Sequence, residues 1–378
     1  MMKPIYIDQQ AQLETLCGTI LSTRPKYLSV DTEFFRKTTY WPKLCLIQLA
    51  FDDQIVLIDP LPQKLDLSPL KDLFLDSQIL KIFHAARQDL EVFHLMWGQV
   101  PSPIADTQIL AMVCGFGDSI SYDKLSEGIV GKKVDKSQQH TDWAQRPLSP
   151  KQITYAMGDV ENLQEIYEKL VERAGSKIEY IQDELDILNN PDTYQTSFDK
   201  AWLKIKTFFH SSPALLGMLK ELAAVRERYA QSQNVPRSHL IKDEILVKLA
   251  SKTKLTPEDL STNGITNPQI QSAFMEAAEK ASPLKTNGDF RPKPNGTLMD
   301  ILSVFLKAQA ETHGIAPKLI ANRDRLEDFV HNPSTSPLMQ GWRLSLFGER
   351  ALKIKEGKVA LAFDPKTQQP VFVDISIS

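Results

Sequence analysis

Cysteine is scarce in this sequence. The chain has 378 residues and three cysteines, Cys17, Cys45 and Cys114, which are far apart and in apolar surroundings. An odd number of widely spaced cysteines argues against a disulfide framework, and the lack of close pairs argues against a zinc knuckle. We therefore expect three buried thiols in a reducing compartment, the cytoplasm.

Long apolar runs are also missing. No stretch approaches the ~18 consecutive apolar residues of a membrane span, and the opening residues MMKPIYIDQQ lack the basic-then-apolar layout of a signal peptide. We expect no contact with a membrane. The hydrophobic fraction of 42% is ordinary for a globular protein, and the length exceeds the ~250–300 residues at which single cores stop growing. Two or three domains are therefore expected.

A net charge of −3 conceals an uneven distribution of charge. Residues 1–200 hold 20 Lys and Arg against 29 Asp and Glu, whereas the rest of the chain holds 24 against 18. An acidic half repels phosphate unless its carboxylates hold cations, and a basic half can grip a polyanion without regard to sequence. We therefore expect the second half to bind nucleic acid, which requires its basic residues to share one face. The alternative is that these residues are scattered over an ordinary solvated surface. They include Arg226, Arg228, Arg237 and Lys242.

Four short β-branched or aromatic runs, interspersed with helical patterns, predict an α/β domain in the first half of the chain. The connections between the first three runs are too short for crossover helices, so these strands should form an antiparallel meander before helix–strand units begin. A mixed sheet is the expected result. The runs are residues 27–34, 45–51, 54–59 and 79–85.

After about residue 85 the pattern is nearly all helical, and a long helix is expected from Ser149 to about Ala174. Two segments near 190–210 and 281–297 have the composition of linkers. The last residues form either a small hairpin or an unstructured tail. The predicted domains are 1–200, 210–285 and 295–378, of which the second and third are helical.

The strongest local feature is Asp31-Thr32-Glu33 at the end of an apolar run. In a strand, alternation places Asp31 and Glu33 on one face about 7 Å apart. Two like charges side by side are costly to bury unless they are protonated or neutralised, and a divalent metal ion is the usual neutraliser. On its own, the D-x-E pattern is also compatible with an ordinary pair of surface acids.

Two later patterns add further acidic residues. His84 ends a β-like run, and Asp89 follows in the first turn of a helix, where the helix dipole alone favours an acid. Tyr155 and Asp159 are four residues apart on an amphipathic helix and therefore share a face. A half-buried core tyrosine is the ordinary alternative for Tyr155.

Taken in order, D-x-E on a strand, H-x-x-x-x-D at a strand–helix junction and Y-x-x-x-D on a later helix resemble the three motifs of the DEDD exonuclease superfamily, in the subgroup that carries tyrosine. The surrounding sequence, including VDTEFFRKTTYWPKLCLIQLA, HAARQDLEVF and ADTQILAMVCGFG, resembles the ribonuclease D family more narrowly. Further on, LKELAAVRERYAQSQNVPRSHLIKDEILVKLA resembles the helicase-and-RNase-D C-terminal (HRDC) module, and LMQGWRLSLFGERALKIKEG resembles the family's last domain. The resemblance covers nearly the whole chain.

The resemblance implies an α/β ribonuclease H-like exonuclease domain with a mixed sheet, followed by two all-α helical modules. It also implies a 3′→5′ exoribonuclease that releases nucleoside 5′-monophosphates from RNA 3′ ends. The expected substrates are tRNA precursors and other structured RNA, and the expected state is a monomer.

By the same resemblance, Asp31 bridges two divalent metal ions. Glu33 and Asp159 complete the ligands of one ion, and Asp89 holds the other mainly through water. Two such ions can activate water and stabilise the leaving 3′-oxygen. Tyr155, whose ordinary pKa is about 10, is a poor base at neutral pH and is better suited to orienting the water. Mg²⁺ or Mn²⁺ fits an all-oxygen site.

Substrate contacts are less sharply defined. Phe34 and Phe35 follow the D-T-E run, and one of them can stack on the terminal base while the other packs inward. His84 lies where related enzymes contact the terminal nucleotide, or it is a satisfied junction histidine. Lys133 and Arg146 are candidates for contacts with phosphate.

Two other functions stay open at this point. A related DNA exonuclease is one, because metal ions at the scissile phosphate carry no information about the sugar. An RNA-binding protein with an inactive nuclease domain is the other. The intact acidic residues and the tyrosine of the three motifs argue against an inactive domain.

Overall fold

A computed structural model describes residues 3–206, 212–284 and 296–375. Parts of both predicted linkers, residues 207–211 and 285–295, lie outside the described residues. The described residues form two compact units. One lies within Met1–Glu33, Cys45–Thr193 and Lys293–Ser378, and the other within Phe34–Leu44 and Tyr194–Pro292.

The first unit is built on a six-stranded sheet. Its strands are β1 Ile5–Ile7, β2 Tyr27–Phe35, β3 Lys43–Phe51, β4 Gln54–Ile58, β5 Leu80–Phe83 and β6 Ile104–Asp106. The spatial order is β1-β4-β3-β2-β5-β6. Strand β3 pairs antiparallel with β4, whereas β1 with β4, β2 with β5 and β5 with β6 are parallel. The predicted mixed sheet is confirmed.

Two strands of this sheet were not predicted. Strands β1 and β6 have three residues each, which is too short for an alternating pattern to stand out. The expectation of a nearly all-helical pattern after residue 85 is therefore wrong at β6. This strand ends at Asp106, whose carboxylate caps the next helix by accepting hydrogen bonds from the backbone N–H groups of Gln108 and Ile109.

Eight helices accompany the sheet among the described residues. They are α1 Gln10–Thr23, α2 Ser68–Leu75, α3 Arg87–Trp97, α4 Thr107–Val113, α5 Tyr122–Val130, α6 Pro150–Glu161, α7 Leu163–Ala174 and α8 Gln182–Asn189, with 3-10 segments at Gly175–Ile181 and Pro191–Tyr194. A further 3-10 segment, Phe198–Lys204, belongs to the second unit. Helix α3 follows β5 directly, and this junction brings the second acidic motif to the edge of the sheet. The strands at the centre are fully buried, as β3 shows from Cys45 to Leu49.

The predicted single helix from Ser149 to Ala174 is interrupted. Ser149 and Gln152 form a reciprocal capping box that starts α6, but the helix ends at Glu161 and α7 begins at Leu163. Asn162 lies between them, buried, and its side-chain oxygen accepts a hydrogen bond from Lys132 Nζ at 2.8 Å. A tertiary contact thus breaks a segment that is helical by local pattern.

The second unit contains the helices that follow the first linker. Leu216, Leu219 and Leu222 are completely buried on one face of the longest helix, as their helical spacing predicts. The loop between β2 and β3 belongs to this unit: Asn234 Oδ1 accepts hydrogen bonds from the backbone N–H groups of Tyr40 and Trp41 at 3.1 and 3.0 Å. The helices are α9 Pro213–Ser232, α10 Arg237–Leu240, α11 Asp243–Ala250, α12 Pro257–Thr262 and α13 Pro268–Lys280.

The C-terminal residues of the first unit form a helical module with a terminal hairpin. Its helices are α14 Gly296–His313, α15 Pro317–Ile320, α16 Arg323–His331, α17 Gly341–Arg343 and α18 Glu349–Lys355, with a π-helical turn at Leu344–Gly348 and short 3-10 segments at Pro333–Thr335 and Pro337–Met339. Strands β7 Val359–Asp364 and β8 Gln369–Asp374 pair antiparallel, so the hairpin, rather than a tail, is observed. A Cβ atom on Gly348 would lie 2.1 Å from the Leu338 carbonyl oxygen, and only glycine fits there.

A candidate metal-dependent active site

Three carboxylates meet at the end of β2. Asp31, Glu33 and Asp159 each offer an oxygen atom, and these oxygens lie within 4.8 Å of one another. Strand alternation places Asp31 and Glu33 on one face of β2. Asp159 lies on helix α6, much later in the sequence. All three residues are partly buried. The donor set contains only oxygen, which suits a hard divalent cation.

The fourth predicted acid, Asp89, lies beside this trio but is not one of the three mutually close carboxylates. It is 6% exposed in the first turn of α3. Its Oδ1 accepts a short hydrogen bond from the hydroxyl group of Thr32, the residue between the two acids of the strand motif. The hydroxyl group therefore fixes Asp89 against the strand that carries Asp31 and Glu33.

The electrostatics of the site are those of crowded, buried acids. Burial, followed by the charges of the neighbouring carboxylates, raises the pKa of Asp31 well above its usual range. The same causes raise the pKa of Glu33 to about 9, and burial raises the pKa of Asp159 to about 8 and that of Asp89 to about 7. Without a cation, the folded protein ionises this cluster only at a cost.

This arrangement gives the metal-free protein a stability that depends on pH. Between about pH 4, where such acids ionise in an unfolded chain, and pH 9, the folded state binds more protons than the unfolded state, so stability falls as the pH rises. In EDTA we expect the thermal unfolding midpoint at pH 8.5 to lie at least about 4 °C below that at pH 6. Millimolar Mg²⁺ should remove most of this difference.

Differential scanning calorimetry across that range, with EDTA or with Mg²⁺, measures the effect. The variant Glu33→Gln serves as the control, because a neutral amide should flatten the slope in EDTA and weaken the response to Mg²⁺. Equal midpoints at pH 6 and pH 8.5 in EDTA would contradict the electrostatic account.

Tyr155 lies one helical turn before Asp159, as the spacing predicts, and its hydroxyl group hydrogen-bonds to the Asp159 carboxylate. The side chain is 9% exposed, and its ring is 5.8 Å from the ring of Trp143. Burial and the charges of Asp159, Glu33 and Asp31 raise the Tyr155 pKa far above its usual value. The phenol therefore remains protonated and can donate a hydrogen bond at the site.

His84 is held by two contacts at the β5–α3 junction. Its Nε2 is 3.1 Å from the Ile120 carbonyl oxygen, which only accepts, so this nitrogen carries the proton; Nδ1 is 2.9 Å from the Thr107 hydroxyl group. Burial lowers the pKa of the ring, which stays neutral. Asp106 completes the junction by accepting hydrogen bonds from the backbone N–H groups of Ala85 and Ala86. Both ring nitrogens of His84 are thus engaged within the protein.

Arg146 does not present its guanidinium group to solvent. It forms a two-point ion pair with the fully buried Asp59 and donates to the backbone carbonyls of Cys45, Trp143 and Gln145. These contacts occupy all five N–H donors of the group, so none is left for a phosphate. The structure therefore corrects the expectation of a phosphate contact: Arg146 ties the segment before α6 to β3 and to the residue that follows β4.

The remaining predicted substrate contacts differ in character. The side chain of Lys133 is 85% exposed, and its Nζ is 3.8 Å from a Glu127 carboxylate oxygen, a loose pair that a phosphate can replace. Phe34 lies one residue after Glu33 on β2 and is partly buried. The structure thus leaves Lys133 available to a charged ligand.

Two residues around the site were missed in the sequence. Thr32 occupies the variable position of D-x-E, where no residue type was required. Tyr122 is the partly buried first residue of α5. Its ring is 5.6 Å from that of His84, and its hydroxyl oxygen accepts a hydrogen bond from the backbone N–H of Asn162 at 3.4 Å. Its neighbours are 38 residues before it and 40 residues after it, so local spacing carries no signal for these contacts.

Not all of the basic residues proposed to form one face of the second half are exposed and free of ion pairs. Arg226 is 2% exposed and donates to the Ile241 carbonyl and the Asp243 carboxylate, so it serves the core of its own unit. Arg237 Nη1 lies 3.6 Å from a Glu227 carboxylate oxygen. Arg226 therefore does not belong to an exposed basic face, because its guanidinium group is buried.

Comparison with known proteins connects this geometry with a family. Residues 4–174 match the 3′-5′ exonuclease family, and residues 216–276 match the HRDC domain. The Ribonuclease D of a Jannaschia species is 40% identical over 377 residues, which cover 95% of this chain and 97% of that protein. The chain belongs to the ribonuclease D family. The Ribonuclease D of Gluconacetobacter diazotrophicus is 37% identical and covers 93% of both chains.

A solved structure agrees with this membership. The crystal structure of Escherichia coli RNase D, an exoribonuclease involved in structured RNA processing, matches with a TM-score of 0.78 and 28% identity, covering 94% of this chain and 99% of that one. The predicted exonuclease fold followed by helical modules is confirmed. As a member of the ribonuclease D family, the chain is a hydrolase with 3′→5′ exoribonuclease activity that acts on RNA with divalent metal ions. None of the described helices is long and apolar enough to cross a membrane.

Proposed function

We propose that this exoribonuclease trims the 3′ ends of tRNA precursors and other structured RNA, and that Asp31, Glu33, Asp89, Asp159 and Tyr155 are its catalytic residues. The observation that carries the assignment is the carboxylate trio with oxygens within 4.8 Å, joined by a tyrosine that hydrogen-bonds to one of its members. Each cleavage releases a nucleoside 5′-monophosphate.

The site is proposed to take two divalent ions, Mg²⁺ or Mn²⁺. The fit rests on the donor chemistry: the carboxylates are partly buried and offer only oxygen, and burial together with their mutual repulsion raises their pKa values. Asp31, Glu33 and Asp159 would hold one ion, and Asp31 with Asp89 the other. Bound divalent ions lower the pKa of water and stabilise the charge that develops on phosphate oxygens.

The protein's own groups then have distinct tasks. The Tyr155 hydroxyl group stays protonated and donates its one proton to the Asp159 carboxylate, so its oxygen would accept a hydrogen bond from the attacking water and orient it along the line to the phosphorus atom. The Thr32 hydroxyl group keeps the Asp89 carboxylate in one orientation. Lys133 is proposed to contact the phosphate backbone, and Phe34 to stack on the terminal base, whereas His84 shapes the wall of the site through its two internal contacts.

The remaining proposals concern organisation. We infer three domains, 1–200, 210–285 and 295–378, in a monomer, and separate hydrophobic clusters within the two helical segments support the last two. A cytoplasmic location is proposed as well, and three buried free thiols at Cys17, Cys45 and Cys114 support a reducing compartment.

The proposed substrate is tested by incubating the purified chain with a tRNA that carries a 3′ trailer and, separately, with single-stranded DNA, each with Mg²⁺ or with EDTA. We expect stepwise release of 5′-mononucleotides from the trailer, arrest near the mature 3′ end, and no release in EDTA. A tRNA with a mature end is the control. Faster digestion of DNA than of RNA would replace the proposal by a DNA exonuclease, and binding without hydrolysis would indicate an inactive nuclease domain.

A further inference from the structure

Part of the C-terminal module completes the core of the exonuclease domain. Ala316 and Leu319, 1% and 0% exposed, are members of the hydrophobic cluster formed by helices α4, α5 and α7. In that cluster they accompany Leu110, Met112 and Cys114. Residues Ala316–Leu319, which comprise the residue before α15 and most of that helix, thus act as a plug in the nuclease core. By contrast, Leu302 and Phe329 belong to the module's own cluster.

Hydrogen bonds fix this plug to the end of α4 and the segment that follows. The backbone N–H of Ala316 donates to the Met112 carbonyl at 2.8 Å, and the N–H of Lys318 donates to Asp118 Oδ1 at 2.8 Å. A Cβ atom on Gly115, where φ is +81°, would lie 3.2 Å from the Gly314 carbonyl oxygen. The plug therefore contacts Met112 and Asp118, and Gly314, two residues before the plug, lies close to Gly115.

A second contact holds the module in the same place. The Trp342 ring stacks on Tyr180 with centroids 4.3 Å apart. The buried Arg343 donates to the Asp183 carboxylate and to the carbonyls of Leu319 and Ile320. This guanidinium group therefore joins α17 and the end of α15 to Asp183 on α8 of the exonuclease domain.

The segment that the plug holds leads directly to the catalytic residues. The Ile120 carbonyl accepts hydrogen bonds from His84 Nε2 at 3.1 Å and from Gln108 Nε2 at 3.0 Å. Two residues later, Tyr122 contacts the His84 ring and accepts the Asn162 N–H at the end of helix α6, which carries Tyr155 and Asp159. The segment Cys114–Tyr122 therefore has the plug at one end and two of the catalytic motifs at the other.

We propose that the C-terminal module is a positioning element of the catalytic site, in which the plug Ala316–Leu319 holds the segment Cys114–Tyr122 against His84 and the end of α6. The module supports catalysis whether or not it binds RNA. This inference rests on the proposed catalytic residues, since it concerns their placement.

The test compares two leucine-to-alanine substitutions, each made in the full-length chain. Leu319→Ala opens a space in the plug, and Leu302→Ala opens one in the module's own cluster; both leucines are completely buried. On a single-stranded RNA of about six nucleotides with Mg²⁺, we expect Leu319→Ala to lower kcat about tenfold with KM changed less than twofold. Leu302→Ala should lower the unfolding midpoint to a similar extent and leave kcat within twofold of wild type. Equal effects of the two variants on kcat would overturn the proposal.

A second pair avoids the core altogether. Asp118→Ala removes the acceptor for the Lys318 N–H, and Ser119→Ala is its exposed neighbour and control. We expect a threefold loss of kcat in the first variant and none in the second. The loss should largely disappear in a Tyr122→Phe background, because both changes act through one segment. A wild-type kcat in Asp118→Ala, or fully multiplicative losses in the double variant, would overturn the proposed route. If the wild-type chain showed no turnover, the proposed function would fail. That outcome differs from a failure of the positioning proposal, in which the wild-type chain is active and the variants do not behave as expected.

Discussion

Replacing Asp31 or Asp159 with asparagine is expected to lower RNA hydrolysis at least about a thousandfold while the chain still folds. Either change removes a ligand oxygen from the trio, and metal assistance contributes several kcal/mol, each 1.36 kcal/mol being a factor of ten in rate. The asparagine also relieves repulsion among the remaining acids, so the unfolding midpoint in EDTA at pH 8 should rise. Release of 5′-mononucleotides from a short RNA, together with circular dichroism, measures both effects.

Glu161→Gln is the matched control for this experiment. Glu161 is exposed on α6, two residues after Asp159, so its amide variant changes the charge of the same helix without touching the trio. We expect wild-type turnover and an unchanged unfolding midpoint. Turnover of Asp159→Asn within threefold of wild type at millimolar Mg²⁺ would remove the trio from consideration as the catalytic centre.

Tyr155→Phe is expected to reduce kcat by about 10²–10⁴, the range for a positioned proton-transfer or orienting group. The ring keeps its contact with Trp143, and only the hydroxyl group that reaches Asp159 is lost. Mn²⁺ binding, measured by calorimetry without RNA, should stay within twofold of wild type. A lower kcat with unchanged Mn²⁺ binding would show that the Tyr155 hydroxyl group orients the water and is not needed to assemble the metal site.

The control for the tyrosine is Tyr167→Phe. Tyr167 is a partly buried tyrosine on α7 whose ring packs 5.5 Å from that of Tyr27. Its variant should retain full activity. Because burial and three carboxylates hold the Tyr155 pKa far above its usual value, the wild-type rate should show no loss from Tyr155 ionisation up to pH 10. A loss below threefold in Tyr155→Phe would reduce this residue to a packing aromatic.

Two of the pairings in the site follow from local rules that are readable in a sequence. Period-two alternation puts Asp31 and Glu33 on one face of β2, and the i, i+4 spacing puts Tyr155 beneath Asp159 on α6. The meander of short connections likewise predicts the mixed sheet. Each of these statements depends on residues within one element or on the length of one connection.

Contacts between residues far apart in the sequence could not be predicted from the sequence. Arg146 reads as a phosphate contact until the fold supplies Asp59, 87 residues earlier, as its ion-pair partner. A continuous helix is expected through Asn162 until Lys132 and Tyr122 provide its hydrogen bonds. In each case a side chain with several plausible roles is assigned one by a residue that only the tertiary structure brings near.

The residues that form the hydrophobic core under α4 are synthesised at widely separated times. Leu110 and Met112 emerge from a ribosome about 200 residues before Ala316 and Leu319, an interval of roughly 10–40 s at ~5–20 residues per second. Until then, the apolar surface under α4 lacks two of its members and the Met112 carbonyl lacks its donor. A nascent chain that already carries all four acids therefore has an unfinished hydrophobic core under α4 until Ala316 and Leu319 have emerged.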